Sequence, residues 1–302
     1  MAMFLVMIRD VPRYVEPVYR PPSEARSLIF QVTYGCSSDQ CTFCRVYRGK
    51  KFRKRNEQEV LKEFETAAGL YPRTRRIFLA DGDALVLSPR IMLSYLERLY
   101  ALFPELERVT AYSSPQNLLR KDPDDLRAIR AAGLNMLYIG IESGSERILN
   151  MVEKGVTPDE HVEACLEANA AGFETSLTVI LGLGGPRYSE EHAIETGRVL
   201  TACAPTYIGA LTLMLAEHNA DFPASMYDGW RLLDIAETLR EVRLMIENIS
   251  CDGCTFRANH ASNWLALKGR LMRDRPRLLS FIDDVLADPD SPYLRPDDFR
   301  AL

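Results

Sequence analysis

Apolar residues recur along the chain in short runs set between polar, turn-forming clusters, and their spacing predicts alternating strands and helices. Residues 28–32 are apolar and β-prone, which reads as a first buried strand. Asn56-Glu57-Gln58-Glu59 has the pattern of a capping box and opens a helix to about residue 68. A short strand over 76–80 ends at Asp81-Gly82-Asp83. Ser88-Pro89 then starts a helix whose apolar positions, Ile91, Leu93, Leu96, Leu99 and Phe103, fall close to helical period. A strand over 108–112 follows, and Asp122-Pro123 begins a helix that Gly133 ends. Residues 136–141 form a fourth strand, and Thr157-Pro158 starts a helix that runs to Gly172. Residues 176–181 form the fifth strand, Ser189-Glu190-Glu191 opens another helix, and 207–215 is the sixth strand. Six strand–helix units in strict alternation predict a parallel sheet with right-handed crossovers. Two further helices are expected over 229–249 and 276–287.

In barrels built this way the chemistry sits where strands end and helices begin. Here every such end is polar or glycine-rich: residues 36–44, Asp81-Gly82-Asp83, Ser113-Ser114, Glu142-Ser143-Gly144, Gly182-Leu183-Gly184-Gly185, and the segment after Leu215. Helix capping accounts for part of that pattern. Six polar ends on one face also imply a site.

The first end stands apart because it carries Cys36, Cys41 and Cys44 within nine residues. Three thiolates on one short loop can occupy three corners of an iron–sulfur cube and leave one iron open to a small molecule. A zinc site would want a fourth cysteine or histidine at close spacing, and none lies nearby. A catalytic or disulfide role explains two cysteines but not three. The C-x4-C-x2-C spacing is also that of plant-type ferredoxins, but their cluster needs a fourth cysteine, and the next here is the distant Cys165.

Composition narrows the class. The chain has 302 residues, 47% hydrophobic and 26% charged, enough for one large α/β domain or two small ones. A net charge of −5 gives no global basic field, so nucleic acid is not expected as a partner. The apolar start, residues 1–8, is too short for a signal sequence, and no run approaches the roughly 18 apolar residues that cross a bilayer. Seven cysteines, an odd and crowded set, read as intracellular metal or redox chemistry. A cytoplasmic enzyme is expected.

Four motifs then carry a family likeness. They are the cysteine loop with Phe43 just before its last cysteine, Asp81-Gly82-Asp83-Ala84, the run from Tyr138 to Ser145 (YIGIESGS), and the run from Val179 to Gly185 (VILGLGG). With them, residues 28–215 resemble the radical S-adenosylmethionine (radical SAM) enzymes. The resemblance implies a partial (β/α)6 TIM-type barrel over 22–215, after an N-terminal extension, 1–21. A C-terminal helical extension, 216–302, would close the substrate side. It implies an oxygen-sensitive [4Fe–4S] cluster on Cys36, Cys41 and Cys44, and SAM held by Phe43, Gly82, Asp83, Ser113, Glu142, Gly182 and Gly184. The implied reaction is reductive cleavage of SAM, giving a 5′-deoxyadenosyl radical that takes hydrogen from a small polar substrate. Transfer of the aminocarboxypropyl group, or a non-catalytic haem- or cluster-binding chaperone on the same fold, stays open. One departure is that four residues, Ser37 to Gln40, separate the first two cysteines where most of the family has three. The span ahead of Leu28 leaves no room for a cobalamin-binding domain, and no cysteine-rich tail follows. Cobalamin-dependent methylation and sulfur insertion are therefore less expected.

Three further features are candidates. Arg45, Arg48, Lys50, Lys51, Arg53, Lys54 and Arg55 place seven cations in eleven residues. They read either as a solvated helix entrance or as a docking patch for an acidic flavodoxin or ferredoxin. Cys251-Asp252-Gly253-Cys254 is an incidental pair or a thiol pair for redox or hydrogen donation, with Cys254 as its site candidate. The run 255–264 is a turn-rich loop, or one that offers Arg257, His260 and Asn263 to a polar substrate. His218, after the sixth strand, lies where a substrate would sit above the adenosyl group, although lone histidines are more often structural.

Overall fold

The computed structural model describes residues 12–44, 46–47, 49–216 and 219–301. An eight-stranded sheet organises it, made of β1 (Leu28–Gln31), β4 (Arg76–Ala80), β5 (Arg108–Ser113), β6 (Leu134–Glu142), β7 (Glu174–Leu181), β8 (Tyr207–Thr212), β9 (Thr255–Ala258) and β10 (Leu267–Arg270). They lie side by side in that order, β1 to β9 parallel and β10 antiparallel. The edges β1 and β10 do not pair, so the barrel stays open on one side. A separate ribbon, β2 (Thr33–Tyr34) against β3 (Arg53–Lys54), closes the base of the cysteine loop.

The near-continuous apolar strands follow from burial on both faces. Alternate side chains point opposite ways along each strand. Phe30, Ile77, Leu79, Leu137 and Ile139 therefore pack outward under the helices, while Ile29, Phe78, Ala80, Met136 and Tyr138 fill the inside of the curve. The crossover helices are α1 (Glu57–Leu70), α2 (Pro89–Leu102), α3 (Pro115–Leu119) with α4 (Pro123–Ala131), α5 (Glu146–Met151) with α6 (Pro158–Ala170), and α7 (Gly185–Cys203). Asn56 caps α1 by accepting from the backbone of Gln58 and Glu59, the N-cap half of the expected capping box without the return bond from Glu59. Thr157 and Glu160 form a reciprocal capping box on α6.

The six βα units are those the periodicity predicts, with three differences. Helix α7 starts at Gly185, four residues before the expected Ser189, because Pro186 suits a first turn, and the helix kinks at Tyr188. The sixth strand ends at Thr212, not Leu215. The C-terminal segment is helical in α8 (Ile235–Glu247) and α9 (Arg275–Ala287), but it also adds β9 and β10. Helix α8 begins only at Ile235, capped by Asp234. Residues just before it are spent on packing, with Trp230 and Leu233 buried near Gly185 and Gly182. Among the described residues no helix is long and apolar enough to cross a membrane.

Candidate active site

The cysteine loop spans residues 35–52, from one strand of the β2–β3 ribbon to the other. Gly35, at φ +71°, makes its first turn, where a Cβ would stand 2.6 Å from the carbonyl of Lys50. The side chains of Cys36, Cys41 and Cys44 all line one cavity of about 870 Å³ at the C-terminal ends of the strands. Among the described residues, no three metal-ligating side chains are close enough to share a single ion. Three thiols around one cavity are a donor set that suits an iron–sulfur cluster with one open iron, whereas structural zinc takes four protein ligands. Burial pushes Cys36 up to about 11 and Cys44 up to about 12, so bound metal is what would deprotonate them.

Asp81 fixes the loop from below. Fully buried, it accepts from Gln31 Nε2 at 3.0 Å and from the Gly35 backbone at 2.9 Å, and pairs with Lys50 Nζ at 2.7 Å. One carboxylate thus grips both ends of the cysteine loop. Lys50 also donates to the backbone carbonyls of Val15 and Pro17, tying the N-terminal segment to the same point. Gly82 lies directly under Cys36, where a Cβ would sit 2.8 Å from Cys36 Cβ and 3.0 Å from its sulfur. Asp83 turns away from the cavity. Its Oδ2 accepts from Ser37 Oγ at 2.9 Å and Asn117 Nδ2 at 2.6 Å, pinning the loop to α3. Burial pushes the Asp83 carboxyl up, against hydrogen bonds from Ser114, Asn117 and Ser37.

Opposite the thiols, β6 delivers Glu142 into the cavity, where its Oε1 accepts from Lys154 Nζ at 2.9 Å. Gly140 makes room, since a Cβ there would lie 2.0 Å from that oxygen. Burial alone would favour neutral Lys154. Glu142 and the neighbouring Cys41 and Cys44 outweigh it and push the amine up, so the cation persists. Ser113, Tyr112, Tyr138, Phe43 and Thr178 complete much of the lining. His260 lines it too. Its Nδ1 accepts from the Ser262 backbone at 3.1 Å, which places the ring proton of the neutral form on Nε2, and burial with nearby Arg295 lowers its pKa.

A family model of the radical SAM superfamily matches residues 30–200, more than half of the chain. The chain belongs to the radical SAM superfamily. A protein of Methanocaldococcus jannaschii, named provisionally as a methylthiotransferase, is 28% identical over 158 residues, which are 49% of this chain and 33% of that one. The chain spans about a third of the length of the curated relatives it matches. Among solved structures, coproporphyrinogen III oxidase HemN of Escherichia coli, a radical SAM enzyme, superposes with a TM-score of 0.58 at 16% identity, over 73% of this chain and 51% of that one. Methylornithine synthase PylB superposes with a TM-score of 0.53 at 16% identity, over 90% and 84%. These likenesses carry the fold, an open barrel with a mostly parallel sheet.

A radical SAM enzyme has two groups to house, a [4Fe–4S] cluster and SAM. Of the residues singled out for them, Cys36, Cys41, Cys44, Phe43, Gly82, Ser113, Glu142 and His260 meet at the cavity. Gly182 and Gly184 do not. The N–H of Gly182 is taken by Glu241 Oε1 at 2.6 Å and its φ of +82° makes the turn, while a Cβ on Gly184 would stand 2.8 Å from Ile148. Cys254 is fully buried at the foot of β9, the end of the sheet away from the cavity. Arg257 stacks over Tyr207, and Asn263 bonds to Thr212 and the carbonyl of Ala210, so neither reaches the cavity lining. His218 lies outside the described residues.

The basic stretch also thins out. Lys50 is consumed by Asp81, and Arg55 by Glu63 and the carbonyl of Gln31. Lys51, Arg53 and Lys54 remain exposed, while Arg45 and Arg48 lie outside the described residues. Sequence reasoning missed Asp81 and Lys154 as site residues. Lys154 follows Glu142 by twelve positions, on the loop after α5, and no local pattern marks it.

Proposed function

We propose that Cys36, Cys41 and Cys44 hold a [4Fe–4S] cluster with one open iron, that SAM binds beside it, and that the chain cleaves SAM reductively to modify a small polar substrate. When bound, the pair supplies a 5′-deoxyadenosyl radical that takes hydrogen from an unactivated C–H bond. The observation that carries the reading is the meeting of three thiols, without a fourth, with the Glu142–Lys154 pair in one cavity.

The chain's own groups have defined tasks in this reading. Lys154 offsets the negative charge gathered by three thiolates and Glu142. Glu142 gives one oxygen to Lys154 and keeps the other for a ligand hydroxyl. The backbone at Gly82 lies open to the cavity for the amino group of SAM, whereas the Asp83 side chain acts only by holding Ser37. His260 presents a neutral imidazole to a polar substrate. Tyr112, Tyr138 and Phe43 keep water from the reacting carbon. A flavodoxin or ferredoxin would dock on exposed Lys51, Arg53 and Lys54, and a cytoplasmic setting would protect the oxygen-sensitive cluster.

The relatives' names raise methyl or methylthio transfer. The four remaining cysteines, Cys165, Cys203, Cys251 and Cys254, are buried and none lines the cavity, so the described residues favour simple hydrogen abstraction. The test is anaerobic reconstitution followed by SAM and dithionite. The expected product is 5′-deoxyadenosine. An intact [4Fe–4S] spectrum with neither 5′-deoxyadenosine nor 5′-methylthioadenosine would leave no enzyme reading standing.

A further inference from the structure

Glu142 ends β6 with φ +64°, a left-handed conformation that is strained for a residue with a Cβ. Something must hold it there. The turn that follows it is pinned to α7 by a buried network. The N–H of Gly144 donates to Thr196 Oγ1 at 2.8 Å, and Ser143 Oγ lies 2.9 Å from His192 Nδ1. Gly144 packs so closely that a Cβ would stand 2.3 Å from the carbonyl of Glu195.

One proton position in this network is fixed by its partner. His192 Nε2 lies 3.0 Å from the carbonyl of Ile180, which only accepts, so Nε2 carries the hydrogen. With that as its one proton, the ring accepts at Nδ1 from Ser143 and, at 3.2 Å, from Thr196. Ser143 Oγ, having donated, accepts from the Ser145 backbone at 3.0 Å. Glu241 of α8 completes the cluster, 3.7 Å from His192 Nε2 and bonded to Gly182 and Ser189. His192, Ser143 and Thr196 are fully buried, and neither they nor Glu241 line the cavity.

We propose that His192 is a positioning residue for Glu142. By accepting from the Ser143 and Thr196 hydroxyls and donating to Ile180, it locks the strand-end turn that carries the Glu142 carboxylate into the cavity, and joins that turn to β7. The proposal rests on the reading that SAM binds at Glu142. It adds that SAM affinity depends on the hydrogen-bond polarity of a ring SAM never touches.

The experiment is equilibrium dialysis of SAM against the cluster-loaded protein without reductant, alongside iron content. H192L is expected to lose about tenfold in SAM affinity with iron unchanged. H192Q keeps one donor and one acceptor and is expected within about threefold of wild type. In turnover, H192L raises KM for SAM more than it lowers kcat, whereas general loosening would lower both and release iron. T196V, nearly isosteric, removes the acceptor for Gly144 and one of the two hydroxyls facing His192 Nδ1, and is expected to fall between; it decides the matter where H192L does not fold. Wild-type affinity in a loaded H192L or T196V overturns the proposal, as does an H192Q variant as weak as H192L. A wild-type protein that binds no SAM refutes the SAM-binding reading itself, a separate outcome.

Discussion

The seven cysteines fall into two groups that burial alone does not separate. Cys36, Cys41 and Cys44 sit on a loop tied at its base, line a cavity, and have the ammonium of Lys154 nearby. Cys165, Cys203, Cys251 and Cys254 sit deep between helices and strand feet, where Cys203 pairs with Cys165 and Cys251 with Cys254. Neighbouring thiols push the already buried Cys203 and Cys254 up strongly. The first group has space and a positive charge, the two conditions a thiolate–iron site needs. The second has neither. On the proposed reading, ligand competence follows from the cavity and its cation, not from the number of nearby sulfurs.

The largest effect should come from exchanging the groups. Replacing Cys36, Cys41 or Cys44 with Ala should reduce reconstituted iron from about four per chain to near none. Cys254→Ala should leave iron unchanged and cost only about 1 kcal/mol of stability from lost packing. Equal iron loss in both would erase the distinction, and iron analysis with denaturant melts reads both numbers. Next, Lys154→Met removes the cation beside the first group and strands the mostly buried Glu142. We expect roughly 3 kcal/mol lower stability in urea titration, with Lys154→Arg recovering part of it. Gly82→Ala pushes a methyl against Cys36 and should cost about 1–3 kcal/mol, with slower cluster loading followed by visible absorbance.

The smallest effect probes the second group's surroundings. His161, whose backbone carbonyl accepts from Cys203 Sγ, is fully buried, and desolvation with nearby Lys154 lowers its pKa to about 3. Between pH 3 and about 6.5 the unfolded chain binds the proton that the folded chain refuses, so stability falls as pH drops through this window. From pH 6.5 to 5.5 the loss should be about 1 kcal/mol, and it should vanish in His161→Leu. A pH slope unchanged in that variant would assign it to other groups.

What the sequence made legible follows locality. The cysteine triplet, the strand ends and Glu142 announce themselves within a few residues, because one loop or one strand end must carry them. Lys154, Asp81 and His192 act through partners brought in by the fold; nothing beside Lys154 or His192 in the chain marks them, and the motif that contains Asp81 does not show that its carboxylate grips the cysteine loop. Within the basic run, the pairing of Lys50 and Arg55 with buried acids from other segments is hidden in the sequence for the same reason. Gly182 misled in another way. A glycine at φ +82° is required by the turn, and that need looks the same in sequence as a need for ligand space. The strands β9 and β10, four residues each, depend on pairing with β8 and with each other more than on any pattern of their own.

The central claim is that three cavity-lining thiols hold a cluster whose open iron SAM engages. The most direct measurement is the electron paramagnetic resonance spectrum of the dithionite-reduced protein with and without SAM. The account predicts a [4Fe–4S]⁺ signal whose g-values shift when SAM is added, in wild type and in Cys254→Ala alike. An intact cluster signal that SAM leaves unchanged would contradict it.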